Sequence, residues 1–294
     1  MSFQNDEAEI EASRAPLMDH LIELRSRLII CALALGVGFV ICFIFSKQLY
    51  EALLRPYLLA NALVAEQKAG GHHGPFDLVL TVIGLHHVAS TPEVLKLQST
   101  APLEFFFTKM KLSMFGAVAL TFPLLAWQLY RFVAPGLYRR ERSAFLPFLI
   151  AAPILFLLGA GLVYFIMLPF VLWFALNQQI MTAQVRIELV AKVSEYLDLV
   201  THLLLAFGLC FQLPVVLTLA GMAGLIHADT LAKGRRYGFF GIILVSALVT
   251  PPDMISPFLL AIPIYGLYEA SIWCVRLIEG RRRKEEAQDL SATT

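Results

Sequence analysis

Long apolar stretches are the feature that most restricts the folds open to this chain of 294 residues. A bilayer core about 30 Å thick is crossed by about 20 apolar residues in an α-helix, and several stretches reach or approach that length. With 58% hydrophobic residues, 15% charged residues and a mean hydropathy of +0.71, the chain carries more apolar surface than water can solvate. We therefore predict an all-α polytopic membrane protein.

Six transmembrane helices fit the sequence, and the last two are short. The fifth covers fourteen residues, about 21 Å, and Glu269 interrupts the sixth. Thr250-Pro251-Pro252-Asp253 separates these two helices, because adjacent prolines favour a turn over a continuous helix. The predicted spans are about 28–45, 106–130, 145–176, 199–224, 237–250 and 256–275.

The predicted domain covers residues 17–278 and is flanked by segments of different composition. Residues 1–16 are polar and acidic, which predicts a disordered segment without a cleavable signal peptide. Residues 279–294 form a basic and polar tail, also predicted to be disordered. Its Arg281-Arg282-Arg283-Lys284 run suits contact with anionic lipid.

The distribution of lysine and arginine predicts the orientation of the six spans. Fifteen of these residues fall in the segments that share a side with both termini, and eight fall in the much longer segments on the other side. Because cytoplasmic loops are enriched in Lys and Arg, both termini are predicted to be cytoplasmic. The long 46–104 loop then lies on the external side.

Two acidic residues are predicted to lie at the cytoplasmic edge of the bilayer. Glu23 belongs to an amphipathic helix that leads into the first span, and Glu141 follows the second span among four arginines. Each acid has a simple alternative role as an ion pair with neighbouring arginines, for example Glu23 with Arg27 at i,i+4. Together, the two carboxylates could instead bind one cationic ligand.

Other polar residues give weaker signals. Gln212 lies in the fourth span, where a polar group is costly unless it is bonded, and it either joins helices of this chain or contacts a partner helix. His72-His73 and His86-His87 lie in a Gly-rich part of the long loop, and we predict no metal site there. The four cysteines are interpreted as small hydrophobic residues at Cys31, Cys42, Cys210 and Cys274.

Nothing in the sequence predicts an enzyme or a bound cofactor. It contains no phosphate-binding Gly-x-x-x-x-Gly-Lys-Ser/Thr loop, no Gly-x-Ser-x-Gly elbow and no His-Glu-x-x-His pair. A secondary transporter of a small solute is the alternative function, but we find no inverted repeat around a midplane site. An intramembrane enzyme is a further alternative, and it would need paired acids or a metal cluster at membrane depth.

Four ordered motifs resemble the TatC family, the core receptor subunit of the twin-arginine protein translocase. They occur in a six-span frame and cover about residues 17–276. The motifs are His20–Arg27 before the first span, Phe132–Arg142 after the second, Phe211–Pro214 in the fourth and Thr250–Asp253 after the fifth.

This resemblance implies a function and a set of site residues. Glu23, Arg25, Phe132 and Glu141 are expected to bind twin-arginine signal peptides of folded cargo proteins, with Arg25 orienting Glu23 or contacting phosphate. Gln212, Thr250 and Asp253 are expected to dock TatA-type and TatB-type single-span subunits.

The resemblance also implies the setting in which the chain works. We expect a bacterial inner-membrane complex in contact with lipid, without nucleic acid, that can contain more than one copy of the chain. Transport would be driven by the proton-motive force, and the long loop would form an extended periplasmic cap bounded by Pro56 and Glu104. TatC relatives often carry Glu where this chain has Gln212, so a proton-dependent role at that position is in doubt.

Overall fold

A computed structural model of this chain describes residues 3–68, 74–85, 102–133, 146–177, 180–181, 186–187, 192–222, 224–250 and 256–292. Eleven α-helices are present in these ranges. They are α1 (Phe3–Ile44), α2 (Ser46–Lys68), α3 (Pro75–Ile83), α4 (Glu104–Val133), α5 (Leu146–Leu162), α6 (Leu168–Asn177), α7 (Val193–Cys210), α8 (Leu213–Met222), α9 (Ala228–Lys233), α10 (Arg235–Val249) and α11 (Ser256–Ala292).

Two strands of two residues each form the β-sheet in the described ranges. Strands β1 (Ile180–Met181) and β2 (Arg186–Ile187) are antiparallel, with Ile180 opposite Ile187. The all-α class predicted from the sequence is therefore confirmed.

Five stretches within the described residues are long and apolar enough to cross a bilayer. They are Leu21–Ile44, Glu104–Leu129, Ile150–Asn177, Val193–Met222 and Pro257–Gly280. Each of the five stretches overlaps one predicted span, in order the first, second, third, fourth and sixth. The predicted fifth span corresponds to α10, whose 15 residues extend about 22 Å.

The last helix is longer than predicted. Its apolar part covers the 24 residues Pro257–Gly280, whereas the sequence suggested a short span at 256–275. Glu269 does not interrupt it, because Arg235 of α10 contacts both carboxylate oxygens at 2.7 and 2.8 Å. Helix α1 also extends through most of the segment 1–16, and α11 extends through most of the segment 279–294. The domain boundaries at residues 16 and 279 stay predictions.

Proline residues explain the irregular places in the third and fourth spans. Pro169 lacks the N–H that the Phe165 carbonyl would accept, and the turn before it is π-helical over Val163–Met167. Pro214 likewise cannot donate to Cys210, and the chain leaves the helix at Phe211 and Gln212 between α7 and α8. Each span is thus continuous along the chain but locally unwound.

Small residues allow the helices to approach closely. A Cβ at Gly38 of α1 would lie 2.8 Å from Thr121 of α4, and a Cβ at Gly116 of α4 would lie 2.9 Å from the Cys42 sulfur of α1. Gly221 of α8 is similarly close to Val275 of α11, at 2.9 Å. Such contacts are typical of membrane helices, where packing replaces the hydrophobic effect as the main attraction.

Apolar side chains on the outside of the bundle indicate that lipid surrounds it. Along α1, Leu33, Val37 and Ile44 are 65%, 61% and 69% exposed. A surface of this kind in water would be an aggregation site, whereas hydrocarbon solvates it without cost. The core is formed instead by one face of α2, the π-helical turn and the inner faces of α6, α7 and α11.

Helices α2 and α3 occupy much of the long loop, which the sequence left without a predicted fold. α2 packs on α4 and α6 at the end of the bundle, with Leu53, Tyr57 and Leu63 buried. Glu104, in the first turn of α4, accepts a hydrogen bond from Ser194 at the start of α7. The acid thereby joins two span ends, as expected of a residue that bounds the cap.

Pro56 bends α2 and frees a carbonyl that another helix uses. Because Pro56 has no N–H, the Ala52 carbonyl loses its normal helical partner, and the Tyr164 hydroxyl donates to it at 2.7 Å. The Tyr196 hydroxyl donates to the neighbouring Leu53 carbonyl at 2.9 Å. These bonds tie the cap helix to the third and fourth spans.

Tyr164→Phe is expected to lower the free energy of unfolding by about 1 kcal/mol, because it leaves the Ala52 carbonyl without a donor. In a Pro56→Ala background the restored helical N–H would satisfy that carbonyl, so the same substitution should cost less. Thermal unfolding in detergent of the two single variants and the double variant measures the difference. Equal costs in both backgrounds would contradict the assignment of this bond.

Candidate functional site

The candidate site begins on α1, at the end of the first span that faces away from α2. Glu23 and Arg27 lie one turn apart, and the Arg27 guanidinium donates to Glu23 Oε1 through both Nε and Nη2. The i,i+4 ion pair that the sequence offered as a simple role for Glu23 is therefore present. The Glu23 side chain is 34% exposed, so part of its carboxylate remains accessible.

Gln128 of α4 connects this pair to the second span. Its Oε1 lies 3.5 Å from Arg27 Nη1, and the amide is buried. The Arg27 side chain is only 15% exposed, so it lies between the two helices rather than in solvent. This contact fixes the part of α1 that carries Glu23 against the end of α4.

Phe132 lies one helical turn beyond Gln128 on α4, close to the end of that helix at Val133. Because residues four apart lie on one face of a helix, Phe132 and Gln128 share the face that approaches Arg27. Phe132 is half-buried, whereas Arg25 is exposed. The structure thus brings Glu23, Arg27, Gln128 and Phe132 to one end of the α1 and α4 pair.

Glu141 lies outside the described residues, in the segment that follows α4. The described residues stop at Val133 and resume at Leu146, so the sequence alone relates Glu141 to Phe132. Asp253 lies outside the described residues as well, and so do His72-His73 and His86-His87. Within the described ranges, no cluster of three or more His, Cys, Asp or Glu side chains could hold a metal ion.

Gln128 was missed by the sequence reasoning. The available signal was its position: an amide four residues before Phe132, inside an apolar span where an unbonded polar group is costly. Its role in the structure is to position Arg27, and through Arg27 the Glu23 carboxylate.

Gln212 bonds within the chain. Its Nε2 donates to the Ala152 carbonyl of α5 at 2.8 Å, which joins the break between α7 and α8 to the third span. This is the helix-joining role that the sequence left open beside partner docking. Its Oε1 has no hydrogen-bond partner within the described part of the chain.

Thr250 is buried at the end of α10, and its hydroxyl donates to the Ser246 carbonyl at 2.8 Å. Glu269, whose role the sequence left open, bonds the Arg235 guanidinium and the Tyr265 hydroxyl, the latter at 3.1 Å. The Arg235–Glu269 contact holds the short α10 against α11. All four cysteines lie in described positions and are unpaired.

Helix α9 is held against α11 by two further hydrogen bonds. The Ala228 N–H at the start of α9 donates to Glu279 Oε1 at 3.1 Å, and the Tyr268 hydroxyl donates to the Leu231 carbonyl at 2.8 Å. The connection between α8 and α10 is thereby held against α11 at Tyr268 and Glu279. These contacts support the segment that directly precedes α10, the short fifth span.

Comparison with known proteins identifies the family that this arrangement resembles. The family described as Sec-independent protein translocase protein (TatC) matches residues 19–263. The TatC protein of Magnetococcus marinus is 39% identical over 276 residues, which cover 94% of this chain and 89% of that protein. The TatC protein of Escherichia coli K12 is 32% identical over 271 residues, with 92% of each chain covered.

A solved structure has the same fold. A crystal structure described as the twin-arginine translocase receptor TatC matches with a TM-score of 0.66 and 32% identity, over 88% of this chain and 98% of that one. A second crystal structure of the receptor, in the detergent DDM, matches with a TM-score of 0.67 and 33% identity over 86% of this chain.

Proposed function

Because the chain belongs to the TatC family of Sec-independent protein translocase proteins, we propose that it is the receptor for twin-arginine signal peptides. It is a multi-pass membrane protein and a translocase component rather than an enzyme. In the proposed role it also forms the core of a complex that exports folded proteins across the bacterial inner membrane, with both termini in the cytoplasm.

One contact carries this proposal. Arg27 of α1 contacts Gln128 of α4, and this supports the proposal because it holds Glu23 beside the end of α4, the helix that precedes Glu141 in the sequence. Two carboxylates presented from neighbouring segments suit two consecutive arginines, because each guanidinium offers a planar pair of donors to a carboxylate. A lysine ammonium offers no such fork, so the site should distinguish paired arginines from paired lysines.

The remaining candidate residues have supporting roles. Phe132 supplies an apolar surface beside the carboxylates for the residues that flank the arginine pair. Arg25 is exposed and positively charged, so it suits a lipid phosphate or a cargo carboxylate better than a guanidinium. Gln128 and Arg27 act as positioning residues for Glu23.

Binding of signal peptides tests the receptor function directly. The purified protein in lipid nanodiscs should bind a fluorescent peptide that contains the Arg-Arg pair, and should bind the matched Lys-Lys peptide at least tenfold more weakly. Equal binding of both peptides would contradict the proposal. Saturable uptake of a small solute by the protein alone in vesicles would favour a secondary transporter.

Single-span TatA-type and TatB-type subunits are the proposed partners, and the α10 edge is the proposed docking region. α10 is shorter than the hydrocarbon core, so the bilayer must thin around it or another helix must cover it. Thr250 lies at its end, and Asp253 follows three residues later in the sequence. The Gln212 Oε1 can accept a hydrogen bond from a donor on a partner helix without loss of its bond to Ala152.

Gln212 variants separate internal bonding from partner docking. Gln212→Leu removes both functions, and it should lower stability by about 0.6 to 1 kcal/mol and reduce copurification of single-span subunits. Gln212→Glu keeps an acceptor oxygen, so it should retain more of the partner than Gln212→Leu does. Unchanged copurification with Gln212→Leu would show that this residue only joins helices of its own chain.

The proposed energy source is the proton-motive force. The sequence contains no nucleotide-binding loop, and a membrane potential supplies about 2.3 kcal/mol per charge per 100 mV. Dissipation of the potential with an ionophore should therefore stop export in membrane vesicles while peptide binding persists.

A further inference from the structure

A hollow lies at the junction of the first span, the cap and the second span. Its volume is about 400 Å³, and it is lined by Ser46, Lys47, Tyr50, Glu51, Phe105 and Lys109. None of these residues takes part in the candidate signal-peptide site, which lies at the other end of α1 and α4.

The depth of the hollow matches that of lipid headgroups. The first apolar span ends at Ile44, and the second begins at Glu104, so the hollow lies where both spans meet the membrane surface. Lys109 is five residues inside the second span, about 7.5 Å along the helix axis. Its long side chain can reach the surface from that depth.

Among the described residues, Lys109 lacks the anionic partner that a charge at this depth requires. Its ammonium lies 4.2 Å from the centroid of the Phe43 ring, and in the described part of the chain it forms no ion pair. Lys111, two residues further along, is paired with Asp198 at 2.7 Å. An unpaired ammonium at the edge of hydrocarbon is costly, so an anion from outside the chain would stabilise it.

The charges around the hollow favour a single negative group. Lys47 and Lys109 are positive, Glu51 is negative, and the Lys47–Glu51 distance is long, at 4.0 Å. Both members of that loose pair are largely exposed, so Lys47 can turn towards a ligand at little cost. The lining residues themselves carry a net charge of +1, while the nearby Glu104 lies outside the lining and accepts the Ser194 hydroxyl, so the two lysines are the groups that one phosphate diester would contact.

The aromatic wall suits the apolar part of the same ligand. The Tyr50 and Phe105 rings pack with their centroids 5.6 Å apart. Burial, followed by the charge of Glu104, raises the pKa of Tyr50 to about 12, so this side chain stays neutral and does not repel an anion. Glycerol and the first methylene groups of an acyl chain can pack against these rings.

We propose that this hollow binds an anionic phospholipid with one phosphate diester, such as phosphatidylglycerol, through Lys47 and Lys109. Both ammonium groups contact the phosphate, while Tyr50 and Phe105 contact the glycerol region. The lipid would fill the angle between α1 and α2 and support the position of the cap. This proposal does not depend on the signal-peptide function.

Native mass spectrometry of the detergent-solubilised protein, titrated with phosphatidylglycerol or phosphatidylcholine, tests the site. The Lys47→Gln and Lys109→Met double variant should bind phosphatidylglycerol about tenfold more weakly than the unchanged protein. Lys192→Met is the control, because Lys192 lies next to the end of a span, as Lys47 does, but pairs with Glu195 at 3.1 Å outside the hollow. A double variant with Lys47→Arg and Lys109→Arg keeps both positive charges, so it should bind phosphatidylglycerol about as well as the unchanged protein does.

Several outcomes would overturn the proposal. They are equal phosphatidylglycerol binding by the double variant and the unchanged protein, equal affinity for phosphatidylcholine, or displacement of the lipid by millimolar inorganic phosphate. Thermal unfolding identifies a double variant that fails to fold. In that case the single Lys47→Gln variant decides, because that side chain is 86% exposed and makes no buried contact to lose.

Discussion

Glu141→Ala is expected to weaken the binding of a twin-arginine signal peptide by about 10-fold to 100-fold, without unfolding the protein. A charge-assisted hydrogen bond contributes about 1.5 to 3 kcal/mol, and each 1.4 kcal/mol changes affinity tenfold. Loss of one of the two proposed carboxylates removes one such contact. Folding should persist, because the fold depends on the spans and not on the segment that carries Glu141.

The measurement is a peptide titration followed by fluorescence anisotropy, with thermal unfolding of each variant as the check on folding. Glu195→Ala is the control, because Glu195 is an acid that is 71% exposed and pairs only with Lys192 in the described residues. Glu23→Gln should weaken binding to a similar extent. A Glu141→Ala variant with unchanged affinity for the Arg-Arg peptide would remove Glu141 from the site.

The second large effect concerns the packing of α5 against α7. A Cβ at Gly159 would lie 2.7 Å from the Phe207 carbonyl oxygen and 2.9 Å from the Phe211 ring. Because the first obstacle is backbone, no side-chain rotation relieves it and the two helices must separate. Gly159→Ala is therefore expected to destabilise the protein by about 1 to 3 kcal/mol.

Gly161 provides an internal control two residues away on the same helix. A Cβ there meets no atom within 4 Å, so Gly161→Ala should be neutral or stabilising by up to about 1 kcal/mol through helix propensity alone. Gly208→Ala should resemble Gly159→Ala, because its Cβ would overlap the Phe156 ring. The midpoints of thermal unfolding in detergent give the order, and destabilisation of equal size at positions 159 and 161 would contradict the close crossing.

The spans were predictable because hydrophobic length is a local property of the sequence. The first four predicted spans overlap the apolar stretches of the structure, and the short fifth helix was recognised from its length and its terminal prolines. The sixth was predicted too short, because Glu269 looked like an interruption. Its bonds to Arg235 and Tyr265 come from packing that a single-helix pattern cannot show.

The cap was less predictable than the spans. α2 is held by hydroxyl groups of Tyr164 and Tyr196, which are more than 100 residues away in sequence. Pro56 was recognised as a boundary of the cap, but its effect on the Ala52 carbonyl becomes visible only when Tyr164 is placed beside it. Long-range hydrogen bonds of this kind leave no periodic pattern in the sequence.

The candidate site was predictable only in part, because some of its contacts join residues that are far apart in the sequence. The motifs that resemble the TatC family supplied Glu23 and Phe132, and helix spacing supplied the pairing of Glu23 with Arg27. Gln128 was missed, because its role depends on an approach between α1 and α4 that only the fold creates. The binding and docking roles stay predictions for all the residues named from the resemblance, namely Glu23, Arg25, Phe132, Glu141, Gln212, Thr250 and Asp253.

Photocrosslinking tests the shared site most directly. A photoreactive amino acid placed at position 23 or at position 141, in the full complex in membrane vesicles, should crosslink to the Arg-Arg region of a signal peptide from both positions. The matched Lys-Lys peptide should crosslink weakly from either one. Efficient crosslinking from only one of the two positions, or equal crosslinking of the two peptides, would contradict a single pocket formed by both carboxylates.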